Sequence, residues 1–339
     1  MKEDKLYELD YMRFIACLAV IIVHITATGV TGYIHGSFPH IMVLILNRSL
    51  KFTTPIFIFL SGVTSFYSYR KKEFKLFQFI KKRLKKVLVA YFFWCVVYYL
   101  AYIKLGFYTF DIKFFSKNVI LGTMSYHLYF VIIIAQMYIV GPIFYKLLKN
   151  SDKKVVILIV SALVTMLCAE FIRFKYADRI FLKYMFFYML GIFVTLEYDR
   201  YMAWINKYKL IITAGYVAAS AVYTYVSFND MSTYIYAWFV FSVFSVFFVY
   251  VVGLVMKKYM AKIYSFIKLF GQSSYYIYLM HPLVLTMAIM YADSHGILSI
   301  TSRLIIYSLT VIPITIIFCL VFTAAKNKIK KSKKAALAA

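Results

Sequence analysis

The sequence predicts an all-α fold, a polytopic bundle of about ten transmembrane helices with both termini in the cytoplasm. Three observations carry that expectation. Hydrophobic residues fill 63% of the 339 positions and charged residues only 15%, whereas an ordinary soluble domain is about half apolar and about a quarter charged. Apolar runs close to the roughly 20 residues needed to cross a hydrocarbon core recur along the whole chain. The basic residues gather in alternate gaps between those runs. The net charge of +26 is therefore spread between spans, not along the single basic face that a nucleic-acid partner requires.

The runs cover residues 11–29, 52–69, 87–105, 127–145, 153–172, 180–197, 207–226, 233–256, 273–291 and 301–324. Residues 41–47 are apolar but too short to span, and are expected to extend or cap the second helix. Rings with polar tips sit near span ends, as at Tyr67, Tyr69, Tyr91 and Trp94, where they suit a membrane interface. Nine runs follow the one that starts at Tyr11, so that run is read as a retained helix and not as a cleaved signal.

Loop charge sets the orientation. Lys2 and Lys5, the gap from Arg70 to Lys86, the gaps at 146–154, 200–209 and 257–268, and the tail from Lys326 to Lys334 hold over two-thirds of the 39 Lys and Arg. These are the inner segments if both termini are cytoplasmic. Arg48, Lys51, Lys104, Lys113, Lys117, Arg173, Lys175, Arg179, Lys183 and Arg303 fall to the outer gaps. Residues 1–325 are expected to form one membrane domain and 326–339 a disordered basic tail. The four cysteines, Cys17, Cys95, Cys168 and Cys319, lie inside apolar runs without C-x-x-C spacing. Neither a disulfide frame nor a metal site is expected.

Ionisable groups inside such runs are costly and point to function. Arg13 and His24 are eleven residues apart, close to three helical turns, so they project from one face about 16 Å apart along the axis. With an inside N-terminus, Arg13 lies near the cytoplasmic mouth and His24 lies deep. One face then offers a fixed cation for an anionic group and, further in, a group that moves protons. The alternative is that Arg13 snorkels and pairs with Asp10 while His24 is a hydrogen-bonded core residue. His127 opens the fourth span at the outer interface. His281 stands mid-span before Pro282, whose missing N–H frees a carbonyl that the imidazole could satisfy. Glu170 and Arg173, one turn apart, read as a neutralising pair.

Five stretches, in order, resemble the acyltransferase-3 family of membrane-bound acyltransferases. Leu9-Asp10-Tyr11-Met12-Arg13-Phe14-Ile15-Ala16, running on to His24, resembles the family's first helix, with its Arg, ten residues and a His. Pro55 to Gly62 (Pro-Ile-Phe-Ile-Phe-Leu-Ser-Gly), Phe79 to Lys86 (Phe-Ile-Lys-Lys-Arg-Leu-Lys-Lys) and Tyr126-His127-Leu128-Tyr129-Phe130 are similar to its next three motifs. Gly271-Gln272-Ser273-Ser274-Tyr275-Tyr276-Ile277-Tyr278-Leu279-Met280-His281-Pro282 resembles its closing signature. Phe14 replaces a usual Gly, Lys86 an Arg, Val87 a Pro and Tyr129 a Trp. The extracellular esterase-like domain of many relatives is not expected here.

The resemblance implies transfer of an acyl group, usually acetyl, from cytosolic acyl-CoA to a hydroxyl of a cell-surface or lipid-linked glycan, in a bacterial plasma membrane. Arg13 with Lys82, Arg83 and Lys86 is then expected to hold the CoA phosphates. His24 acts as general base or transient acyl carrier, and His127 orients the acceptor or assists proton transfer. Asp10, Tyr275 and His281 are supporting candidates. No nucleic acid and no metal enter this expectation, and oligomeric state is left open. Export of a polysaccharide or small polar solute is the competing reading, although no internal repeat and few helix breakers support it.

Overall fold

The computed structural model describes residues 6–70 and 73–336. Lys2, Lys5, Lys71 and Lys72 of the inner-charge expectation, and the last three residues, lie outside them. Helices make up the secondary structure of the described residues, with no strand among them. In an apolar solvent an unpaired backbone amide or carbonyl is costly, and a helix satisfies both within one segment.

Among the described residues nine helical segments are long and apolar enough to cross a membrane: Glu8–Gly32, Phe38–Arg70, Leu76–Lys104, Tyr129–Lys149, Lys154–Phe171, Tyr198–Phe228, Tyr234–Tyr259, Ala261–Ser294 and Ile300–Lys333. The expected span at 180–197 corresponds to the shorter Phe181–Leu196. Its 16 residues reach about 24 Å at 1.5 Å each.

We number the α-helices α1 (Glu8–Gly32), α2 (Phe38–Ser49), α3 (Thr53–Phe66), α4 (Leu76–Lys104), α5 (Ile112–Leu121), α6 (Tyr129–Lys149), α7 (Lys154–Phe171), α8 (Met185–Leu196), α9 (Tyr198–Phe228), α10 (Tyr234–Tyr259), α11 (Tyr264–Ser294) and α12 (Ile300–Ala336). Two segments refine the sequence reading. Residues 41–47 lie in α2, which starts at the N-cap Ser37, packs on α1 and precedes α3 within the Phe38–Arg70 segment across a turn at 50–52. Residues 326–336, expected to be disordered, continue α12. That segment is rich in Lys and Ala, both good helix formers, and it propagates from a helix already nucleated.

The described residues gather into two units: 54–248 in one, and 6–53 with 249–336 in the other. In the second unit α1 lies against α2, α11 and α12, and α11 against α12. Its entry is pinned by charge. Glu8 is fully buried and receives hydrogen bonds from Lys257 Nζ at 2.9 Å and Tyr250 Oη at 3.3 Å.

In the first unit α6 packs against α4 and α8, and α7 against α8. The α3–α8 approach depends on glycine. A Cβ on Gly62 would meet the Tyr188 carbonyl at 2.3 Å, and one on Gly191 the Phe59 carbonyl at 2.3 Å. Asp111 caps α5 by accepting from the Lys113 and Phe114 amides, and α5 ends at Gly122 with φ 66°. That left-handed value suits a residue without a Cβ.

Candidate functional site

The polar face of α1 is turned toward α11, and three contacts run along the pair. Near the start, Arg13 Nη1 donates to Asp10 Oδ1 at 2.8 Å, and Tyr264 Oη donates to Asp10 Oδ2 at 2.8 Å. One turn on, Cys17 Sγ points at the Ser274 carbonyl, 3.7 Å away. Deeper still, the His24 ring lies 5.2 Å from the His281 ring, centroid to centroid, at 34°. The spacing read from the sequence is therefore realised as one face with a cation at one end and an imidazole pair further in.

Arg13 pairs with Asp10, as the alternative reading had it, and its side chain is 22% exposed. Pairing does not exhaust a guanidinium, which carries five N–H donors in a rigid fork. Asp10 engages Nη1, and the same fork has the geometry for a phosphate. Asp10 itself sits within van der Waals reach of Gly271, where an added Cβ would lie 3.3 Å from Oδ1.

His281 is fully buried, with Nδ1 3.0 Å from the Ile277 carbonyl. A carbonyl only accepts, so Nδ1 carries the proton of a neutral ring and the tautomer is set. Tyr278 lies on the same side of α11, with its ring 6.3 Å from His281 and 6.4 Å from Tyr275. Tyr275 is thus linked to the imidazole pair through Tyr278.

The other expected residues fall in the unit of residues 54–248. His127 is buried, with Nδ1 3.2 Å from Ser125 Oγ and the rings of Tyr98 and Tyr126 each 5.6 Å away. Tyr98 extends to Trp94 and Tyr102 at 6.1 and 5.6 Å, a stripe at four-residue spacing along α4. The ring of His127 therefore packs between those of Tyr98 and Tyr126.

Arg83 is committed to the end of α3. Its Nη2 donates to the Thr64 carbonyl at 2.5 Å and the Ser65 carbonyl at 3.2 Å, and its guanidinium lies over the Phe79 and Tyr138 rings. A cation at the C-terminal carbonyls of a helix is favourable for the helix itself. Lys82 and Lys86, by contrast, are exposed, as are Lys81 and Lys85. Among the described residues no group of three or more His, Cys, Asp or Glu could hold a metal ion.

Two features escaped the sequence reading. Asn47 of α2 is 2% exposed and hydrogen-bonds beside His24. Glu8 is an ion-pair partner 249 positions from Lys257. An Asn at the end of a short apolar run was the available signal for the first.

Residues 6–324 match the model of an acyltransferase domain family, acyltransferase 3, and the chain belongs to that family. It is a polytopic membrane acyltransferase by family and fold. Among known proteins it is similar to a Staphylococcus aureus (strain MSSA476) protein named "Probable poly-beta-1,6-N-acetyl-D-glucosamine export protein", 23% identical over 86% of each chain. A Staphylococcus epidermidis protein with the same name is 24% identical, covering 86% of this chain and 84% of that one. A Bacillus subtilis (strain 168) protein named "Putative membrane-bound acyltransferase YfiQ" is 26% identical over 65% of each chain. No solved structure matches.

Proposed function

We propose that this chain is an O-acyltransferase of a bacterial plasma membrane. In this reading it moves an acyl group, acetyl in the simplest case, from cytosolic acyl-CoA to a hydroxyl of a cell-surface or lipid-linked glycan. The observation that carries the reading is the α1–α11 face, with Arg13 at one end and the His24–His281 pair deeper.

Arg13 binds donor phosphate through its fork, and the pantetheine arm follows the face inward. The thioester then meets His24. The imidazole takes the proton of the acceptor hydroxyl as the acceptor oxygen bonds the acyl carbon. The carbon–sulfur bond breaks, and the leaving thiolate takes the proton from the imidazolium. The exposed Lys82 and Lys86 on α4 are further cations for the donor's phosphates. His127, held among tyrosines, is a candidate for hydroxyl recognition. The distribution of Lys and Arg supports a cytoplasmic N-terminus, which puts Arg13 on the side where acyl-CoA is made.

The test is transfer itself. Inside-out vesicles containing the protein are given radiolabelled acetyl-CoA, and label is followed into the glycan and lipid fractions. Label should appear with the native chain and not with His24→Ala. Label that appears equally with both would sink the mechanism.

Export is the second reading, favoured by the names of the staphylococcal relatives. It predicts saccharide flux across proteoliposomes in the absence of any acyl donor. Flux that needs His24 and no donor would replace the transferase reading.

A further inference from the structure

The loop between α6 and α7 and the junction of α8 with α9 line a cavity of about 270 Å³. Its rim is charged. Lys153 and Lys154 come from the start of α7, Arg200 from the first turn of α9, and the carboxylates are Asp152 and Glu197. Lys154 Nζ lies 3.0 Å from Glu197 Oε1, and both side chains are half-buried. With that pair neutral, the exposed Lys153 and Arg200 remain against the single carboxylate of Asp152, so the rim keeps a positive excess. Two of the basic gaps read from the sequence, 146–154 and 200–209, thus meet at one cavity. The N-cap Lys153 accepts nothing through its side chain and no acid stands in the first turn of α7, so the amides of that turn add to the positive side.

The rest of the wall is apolar. Phe193 of α8 lines it, and so do Val155 and Val156, both exposed on the first turn of α7. An exposed apolar helix surface beside a charged rim has the profile of a membrane–water boundary, where a lipid carries its phosphate next to its chains. The rings on α9 agree with that depth. Trp204, four residues past Arg200, is exposed and lies 5.7 Å from the Tyr208 ring, an amphipathic pair suited to the interface.

We propose that this cavity binds the phosphate of an anionic phospholipid from the leaflet on the side of the basic loops. Lys153 and Arg200 hold the phosphate, and a lipid chain runs along Val155, Val156 and Phe193. Basic recesses between helices on the cytoplasmic side suit such headgroups. Inorganic phosphate would gain nothing from the valines and the phenylalanine, whereas a lipid uses both halves of the cavity. None of these residues is assigned to acyl transfer, so the site stands whether or not that reaction does. The alternative, a rim that only ties α7 to the α8–α9 junction through Lys154 and Glu197, predicts no lipid preference.

The full-length chain in detergent micelles is mixed with dioleoyl phosphatidylglycerol or dioleoyl phosphatidylcholine, and retained lipid is measured by native mass spectrometry. The native chain should hold phosphatidylglycerol more tightly. The double change Lys153→Gln and Arg200→Gln should weaken that binding about 30-fold, the loss expected of two Lys or Arg charges near anionic lipid, with phosphatidylcholine unaffected. The double change Lys207→Gln and Lys209→Gln removes two exposed cations of the same gap that do not line the cavity, and should leave binding native. In the native chain a photoactivatable phosphatidylglycerol should label the peptides carrying residues 152–156 or 193–200.

Equal losses in the two double variants would mean diffuse attraction to the surface and overturn the site. Labelling of neither peptide overturns it as well, without relying on any variant. A native chain that binds inorganic phosphate but shows no preference between the two lipids would assign the cavity to free phosphate and remove the lipid.

Discussion

The carboxylate-bound cations of the α1–α11 unit and the lysines at the start of α4 stand under opposite conditions. In the unit built on α1 and α11, Arg13 is bound to Asp10, Lys257 to Glu8 and Arg303 to Asp293. At the start of α4 the lysines Lys81, Lys82 and Lys85 stand exposed, whereas Arg83 turns inward to carbonyls. A charge inside an apolar run must bring its partner with it, because a lone one is expensive to bury. A charge in a polar run keeps its water and stays available to a ligand. The first kind builds and tunes a site; the second can be recruited by phosphate.

Breaking this contrast at its strongest point means removing the imidazole. His24→Ala should reduce transfer by about 100-fold to 10,000-fold, the usual range for a general base, with the protein still monodisperse by size-exclusion chromatography. Next in size is Glu8→Gln. It weakens the charge-assisted bonds that Lys257 and Tyr250 make to a fully buried carboxylate, and should cost about 2 kcal/mol, seen as earlier thermal unfolding in detergent.

Arg83→Gln should cost about 2 kcal/mol, since it forfeits charge-assisted hydrogen bonds to two carbonyls at the end of α3. The same thermal scan on Lys82→Gln should show no shift. The smallest effect belongs to the exposed lysines. The double change Lys82→Gln and Lys86→Gln should weaken donor binding only a few-fold, by an amount that shrinks as salt is raised. A salt-independent loss there would mean that these lysines make buried contacts.

Much of this was legible in the sequence. Apolar run length gave the helices, since the bilayer dictates that length. The eleven-residue step from Arg13 to His24 gave the face they share, because helical periodicity alone determines it. His281 before Pro282 pointed to a histidine bonding within its own helix, and Nδ1 does lie by the Ile277 carbonyl. The missed features depend on contacts between distant segments. Nothing local distinguishes Glu8 from an ordinary first-turn carboxylate, yet Lys257 meets it from α10. Arg83 looked like its lysine neighbours until α3 supplied the carbonyls. Asn47 sat in a run set aside as too short to span, and α2 proved to be the helix that braces the turn bearing His24.

The central claim is that donor recognition and chemistry are separate ends of one α1 face. It is tested most directly by calorimetric binding of acetyl-CoA to the purified native chain, Arg13→Ala and His24→Ala. Loss of binding in Arg13→Ala with native affinity in His24→Ala is the predicted result. A folded native chain that binds no acyl-CoA, or an Arg13→Ala variant that binds as the native does, would contradict it.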